Sequence, residues 1–358
     1  MFETIGVYFM KDLDICWEIL PKVSRSFSLC IRMLPKPIDE QMMISYMLYR
    51  VIDTIEDSHA TLKIKRTLFN QLIKTMRAKS FEQENVELLQ QSLLTSLDYT
   101  YEKPLLSNMS ALMRRFYAQP LHVQKSITKW GKVMASGMYE FQQKRIHTFA
   151  DQNRYSYYVA GVVGYLLNDL FYHNHVIDAK KRKKLAAYAK RFGLALQKIN
   201  ILRDVAGDVS SGRYYWPKSL LKKHNLDYHM LCDAKHRDKA MKVLKGEIDN
   251  ALDYLYSGMY YVLSLPESAV QVRMFCLIPL FMAIESFVVC NGNSDIFSVE
   301  KSVKISRAQV EAIVAKCTIW SSSNKNLLRW FTNSMSSTCL SQPRTFCARQ
   351  LLALNLRV

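Results

Sequence analysis

Twice in this chain a row of carboxylates and amides recurs at helical spacing inside apolar sequence, and any fold of the chain must accommodate both rows. In ALQKINILRDVAGDVSSGRYYWP, residues 195–217, the side chains of Gln197, Asn200, Asp204 and Asp208 fall three, four and four residues apart. That spacing places them on one face of one helix. Leu196, Ile199, Ile201, Leu202 and Val205 supply its packing side. In YMLYRVIDTIEDS, residues 46–58, Tyr46, Arg50, Asp53, Glu56 and Asp57 repeat the pattern along one expected helical face. Two carboxylates ~4 Å apart repel by about 4 kcal/mol at an effective dielectric of 20. A cavity that gathers such rows is therefore water-filled, protonated or occupied by a cation. Hard oxygens in this arrangement suit Mg²⁺ carrying phosphate oxygens. The plainer alternative is a pair of solvated helix faces, and spacing alone leaves both open.

Composition favours long helices. Eleven Gly and nine Pro among 358 residues, with 49% hydrophobic residues, leave few turns. No Gly/Ser linker, low-complexity tract or internal repeat interrupts the chain, so residues 1–358 are expected to form one domain with a large core. The net charge of +18 fits nucleic acid, an anionic membrane surface or polyanionic substrates. The basic residues are scattered apart from Lys180–Lys184, and no nucleic-acid motif accompanies them, so nucleic acid is not an expected partner. Eight cysteines lack the spacing of a zinc site and several lie in apolar runs, which indicates a reducing compartment. Met1–Met10 lacks the pattern of a signal peptide. The most apolar run, Met274–Cys290, contains Pro279 and Glu285 and falls short of a spanning segment on this reading. A cytoplasmic monomer, peripheral at most to a membrane, is expected.

Other positions carry weaker signals. Ser24, Arg25, Ser26 and Phe27 mark a helix start after a helix at 5–20, with Ser capping free N–H groups. Arg50 lies one turn before Asp53, placed to neutralise it or a diphosphate. Residues 61–78, 82–98 and 109–117 read as amphipathic scaffold helices. In the helix at 121–145, Met134 and Met138 read as core filling, and Gly137 marks close packing or ligand approach. Arg203 and Arg213 are ordinary surface arginines or clamps for a diphosphate. Long helices are expected at 236–264 and 267–291, joined at Pro266.

Taken together, DTIED preceded by Tyr and Arg, then LQK-N-RD-x3-D ending in GR-x2-WP, resembles the squalene and phytoene synthase family. VSRSFSLCIRMLP, YYVAGVVGYLLNDLF and FCLIPLFMAI match further blocks of that family, in family order, over about residues 20–305. The resemblance implies an all-α, single-domain isoprenoid-synthase bundle around a central cavity, with the two rows opposed near its mouth. It implies that Asp53, Glu56, Asp57, Asn200, Asp204 and Asp208 bind Mg²⁺. It implies that Ser24, Arg25, Ser26, Phe27, Gln197, Arg203 and Arg213 contact diphosphate. Met134, Gly137, Met138, Val159, Phe275, Cys276 and Pro279 are implied to line the prenyl pockets, Tyr46 and Tyr155 to face the reacting carbons, and Arg50 to take part in catalysis. The implied reaction joins two farnesyl diphosphates head to head and reduces the product with NADPH, held through Lys304 and Arg307. Two departures stand out: Ser306 where the family has a basic residue, and Gly207 where it has an acidic one. Against this reading stand a non-reductive synthase of the dehydrosqualene or phytoene type and a non-catalytic relative acting in assembly.

Overall fold

Apolar periodicity near 3.6 residues turns almost the whole chain helical. The computed structural model describes residues 2–97 and 101–336, with the side chains of residues 2–10 and of Arg25 outside that description, and contains no strand among the described residues. The C-terminal tail from residue 337, including LLALNL, lies outside the described residues. Contacts divide the chain into two compact units, residues 1–143 with 165–178, and residues 144–164 with 179–358. Each is taken in turn.

The first unit is built from α1 (Phe2–Val23), α2 (Arg25–Arg32), α3 (Ile38–Asp57), α4 (Leu62–Arg77), α5 (Gln83–Ser96), α6 (Lys103–Leu106), α7 (Met109–Tyr117) and α8 (Leu121–Phe141). Ser24 caps α2, its hydroxyl accepting from the Phe27 N–H at 3.2 Å, as the sequence indicates. α3 is the axis of this unit, touching α1, α2, α4, α7 and α8. Of its residues from Gln41 to Asp57, all but four are buried. Gly131 of α8 is what lets that helix lie on α3, since a Cβ there would stand 3.1 Å from the Tyr49 ring. Tyr49 answers by donating its hydroxyl to the Ile127 carbonyl at 2.9 Å, which satisfies a buried polar group at low cost. A bidentate Arg114–Asp12 pair, at 2.6 and 2.8 Å, ties α7 to α1.

The second unit begins with α9 (Phe149–Ser156), a π-turn at Tyr157–Gly161 and the start of α10 (Val162–His173). It continues with α11 (Ala179–Arg203), α12 (Val205–Ser210), α13 (Lys218–Lys223), α14 (Tyr228–Leu231), α15 (Arg237–Leu263), α16 (Val270–Cys290), α17 (Arg307–Trp320) and α18 (Asn324–Ser336). α11 and α15 form its main pair. The small residues of VAGVVG serve backbone contact: a Cβ on Gly164 would meet the Ala189 carbonyl oxygen at 2.0 Å, and one on Gly193 the Ala160 oxygen at 2.1 Å. Only glycine permits that crossing of α10 over α11.

Two expectations change here. The apolar run near residue 280 starts earlier than the sequence reading placed it. α16 has 21 residues and is long and apolar enough to cross a membrane by those measures alone. Within the unit 67% of that stretch is buried, against α11, α15, α17 and α18. The second acidic row, expected on one helix, spans a break: α11 ends at Arg203, and Asp204, at φ −95 and ψ 10, caps α12. Helical hydrogen bonds still run from Asp204 N to Asn200 O and from Asp208 N to Asp204 O, both 2.9 Å, so the row keeps its register through the break.

Candidate functional site

The four residues of α3 beyond Met42 that escape burial are Tyr46, Arg50, Asp53 and Asp57, the stripe that periodicity marks out. Ser24 at the head of α2 shares a hydrogen bond with the Tyr46 hydroxyl, and Phe27 packs on the Tyr46 ring at 5.5 Å between centroids. A helix start, a phenol, a guanidinium and two carboxylates thus line one surface of the first unit. Ser26 is exposed there, and the side chain of Arg25 lies outside the described residues.

Burial sets the charge of this surface. Desolvation pushes the Asp53 carboxyl up to about 7, Asp57 adding to the rise and Arg50 opposing it. The Asp53 side chain keeps 32% of its surface open, so it is reachable from outside although its carboxylate lies deep among protein atoms. Glu56 behaves differently. It is buried, at 8% exposure, and stands off the open stripe. Desolvation first, then Asp57 and Asp53, lift its carboxyl to about 8. Gln142 hydrogen-bonds it, while Lys65 Nζ donates to the Glu56 carbonyl and to Gln142 Oε1, the latter at 2.8 Å. Arg50 reaches Glu102 Oε1 at 2.6 Å and stands 4.0 Å from Asp53 Oδ2, and its Nε, buried, has no partner.

On the second unit, Asn200, Asp204 and Gly207 are exposed and Gln197 and Asp208 half-buried, with Ile199, Ile201, Leu202 and Val205 inside. Arg203 grips Asp204 through two bonds of 2.9 and 2.8 Å, and Arg213 lies 3.3 Å from Asp208. Both arginines therefore already neutralise the row. Gly212, at φ +73, turns the chain, and Trp216 is buried with its Nε1 donating to the Ile201 carbonyl at 3.1 Å. A side chain at Gly207 would meet nothing within 4 Å, so open space surrounds the position where the family has an acid.

Behind this row lies a polar cluster that spacing did not reveal. Lys198 Nζ donates to Gln152 Oε1 and Asn250 Oδ1, both at 2.7 Å. Gln152 Nε2 donates to Glu247 at 2.9 Å and to the Tyr215 carbonyl at 3.1 Å. Tyr155, buried one turn beyond Gln152, stacks on Tyr215 at 4.8 Å and 20°. The Lys of LQK was visible in the sequence; its partners, on α9 and α15, were not.

The remaining expected residues fall as follows. Met134, Gly137 and Met138 are buried on α8, Phe275 and Cys276 are buried on α16, and Pro279 and Val159 are half-buried. Lys304 is exposed. Ser306 caps α17 in a reciprocal capping box with Gln309, and Arg307 pairs with Glu311 at 3.2 Å. The departure at Ser306 thus has a local structural use.

Among the described residues no group of three or more Asp, Glu, His or Cys side chains could hold a metal ion unaided. Mg²⁺ is ordinarily held by one or two carboxylates together with substrate phosphates. Pairs such as Asp53 with Asp57 and Asp204 with Asp208 fit that pattern, and a carboxyl held near 7 by desolvation gains most from a cation.

The model of the squalene/phytoene synthase family matches residues 20–309. A squalene synthase of Schizosaccharomyces pombe is 30% identical over 314 residues, covering 85% of this chain and 65% of that protein. One of Dictyostelium discoideum is 30% identical over 305 residues, covering 85% and 70%. This chain therefore spans about two thirds of the length of these relatives. The solved structure of TcSQS in complex with the ligand E5700 matches with a TM-score of 0.81 and 25% identity, over 97% of each chain.

Proposed function

This chain belongs to the squalene/phytoene synthase family, and on that premise we propose that it joins two farnesyl diphosphates head to head with Mg²⁺ and reduces the product to squalene with NADPH. What carries the reading is the open stripe of α3, where Tyr46, Arg50, Asp53 and Asp57 alone escape burial beyond Met42. A stripe with two carboxylates, of which Asp53 is raised to about 7 by desolvation, is poised for a cation that arrives with a phosphate.

Asp53, Glu56 and Asp57, with Asn200, Asp204 and Asp208, are the residues that would hold Mg²⁺. Of these, Glu56 is buried and hydrogen-bonded by Gln142, while Asp204 and Asp208 carry the arginines Arg203 and Arg213. The metal supplies Lewis-acid stabilisation of the leaving diphosphate oxygens. The protein's own part is positioning and charge. Arg50, Arg203 and Arg213 offer guanidinium forks to phosphate oxygens. Ser24 and the start of α2 offer a hydroxyl and N–H groups. Tyr46 and Tyr155 present aromatic faces toward cationic carbon, and the stack of Tyr155 on Tyr215 fixes the ring in place. Apolar residues such as Met134, Met138, Phe275 and Cys276 exclude the water that would quench an allylic cation. Loss of diphosphate from one substrate, attack by the double bond of the other and loss of a proton give presqualene diphosphate. Lys304 and Arg307 would hold the phosphate of NADPH, which supplies hydride for the second half-reaction.

A second reading is a synthase that stops before reduction. One observation favours it: Arg307 is already paired with Glu311 and Ser306 is used as a cap, leaving Lys304 the unengaged cation of that segment. Product analysis separates the two. Protein supplied with farnesyl diphosphate and Mg²⁺ should accumulate presqualene diphosphate, and adding NADPH should convert it to squalene. Failure to reduce added presqualene diphosphate at any NADPH concentration would support the non-reductive reading, and absence of any head-to-head product would refute both.

A further inference from the structure

On the first unit, between α4, α5 and the end of α7, lies a groove of about 700 Å³ that the acidic rows do not use. Its volume is that of a small-molecule site. Lys74 and Arg77 of α4 and Lys132 of α8 line it together with the carboxylate of Glu82. The three cations are exposed and make no hydrogen bond or ion pair among the described residues. The groove thus carries an excess of two positive charges. Ile73, Leu88 and Leu89 supply an apolar wall, and Leu88 leaves 59% of its surface open to water. Unpaired cations beside an exposed leucine describe a surface complementary to an amphipathic anion. A phosphate monoester carries about −1.5 to −2 at pH 7, the charge that offsets this excess.

We propose that this groove binds a phosphate-bearing amphiphile, its head held by Lys74, Arg77 and Lys132 and its chain laid against Leu88. Arg77 supplies a planar fork and the two lysines point charges, a combination suited to phosphate. The groove also backs onto α3. Gly131, the neighbour of Lys132, lies against Tyr49, Ile52 and Met76, so Lys132 stands on the helix that packs on α3. The site does not depend on the reading of the acidic rows. The same head-and-tail chemistry comes from a soluble phosphate ester or from a phospholipid in a membrane.

The test is calorimetric titration of the full chain, without Mg²⁺, using dodecyl phosphate below its micellar concentration. One equivalent should bind to wild type, with inorganic phosphate at least tenfold weaker. K74E/R77E and, separately, Leu88→Asp should each bind dodecyl phosphate at least tenfold more weakly. These three positions are exposed, so both variants should fold, which unchanged melting temperatures and prenyl-synthase activity would verify. Co-sedimentation with vesicles containing phosphatidic acid distinguishes the sources. Capture lost in K74E/R77E assigns the head group to a membrane, and binding of the soluble ester alone assigns it to a free ligand. No binding, unchanged affinity in K74E/R77E, or inorganic phosphate binding as tightly as the ester would overturn the proposal.

Discussion

Asp53 and Glu56 stand three residues apart on α3, and burial gives them different surroundings. Asp53 opens onto the stripe, while Glu56 is enclosed with Gln142 and Lys65. Both carboxyls are raised in the folded protein, to about 7 and about 8. A carboxyl raised on folding stabilises the native state below its unfolded value near 4 and ceases to do so as pH rises through the folded value. Metal-free protein should therefore lose stability between about pH 4 and pH 8, and Glu56→Gln should flatten part of that slope in denaturant titrations across the range. A slope unchanged in Glu56→Gln would show that this carboxyl ionises as it does when unfolded. Gly207 offers a second test. Nothing surrounds its missing Cβ, so Gly207→Ala should stabilise the protein by roughly 0.5–1 kcal/mol, read as a higher melting temperature. The open stripe was legible because its members repeat at helical steps. The placement of Glu56 was not, because spacing puts it beside Asp57 while its partner Gln142 is supplied by the end of α8. Arg50 is similar: Asp53 was visible as its neighbour, whereas Glu102, 52 residues away, was not.

At the scale of elements, most helices follow from periodicity and their ends from local chemistry. Ser24, Thr61, Thr148 and Ser306 cap the helices that follow them, and Gly212 turns the chain after α12. The break at Asp204 escaped the sequence because no Gly or Pro marks it and the residues on either side keep helical register. The crossing at Gly164 and Gly193 was visible only as a cluster of small residues. Its geometry makes a firm prediction, since a methyl group at either position would press on a carbonyl oxygen at about 2 Å. Overpacking a well-packed contact costs about 1–3 kcal/mol, so Gly164→Ala and Gly193→Ala should each destabilise the protein by at least that much, read as a lower denaturation midpoint. A change under 0.5 kcal/mol would mean that the two helices separate readily there. The network of Lys198, Gln152, Glu247 and Asn250 joins three elements in one buried cluster. Lys198→Met should destabilise the protein by about 1–3 kcal/mol, because it leaves the Gln152 and Asn250 oxygens without their donor, an effect measurable by urea unfolding.

At the scale of the whole molecule, a charge of +18 on a chain proposed to handle a diphosphate with a lipid tail points toward an anionic surface. Vesicles containing phosphatidylserine should retain the protein at low salt and release it as ionic strength rises, since exposed charges are screened within ~10 Å at 0.1 M. Retention in high salt would instead implicate insertion of apolar sequence. The family was legible because several separate motifs occur in family order along the chain, a coincidence far rarer than any one of them. That both rows serve one reaction is the central claim, and single-turnover release of diphosphate from farnesyl diphosphate and Mg²⁺ tests it most directly. Measured in wild type, Asp53→Asn, Asp204→Asn and the double variant, the rate should fall by about 10²–10³ in each single variant, by analogy with removal of one transition-state charge stabiliser. It should fall little further in the double variant, as expected of residues that act as a unit. A wild-type rate in either single variant, or losses that simply multiply in the double variant, would contradict the account.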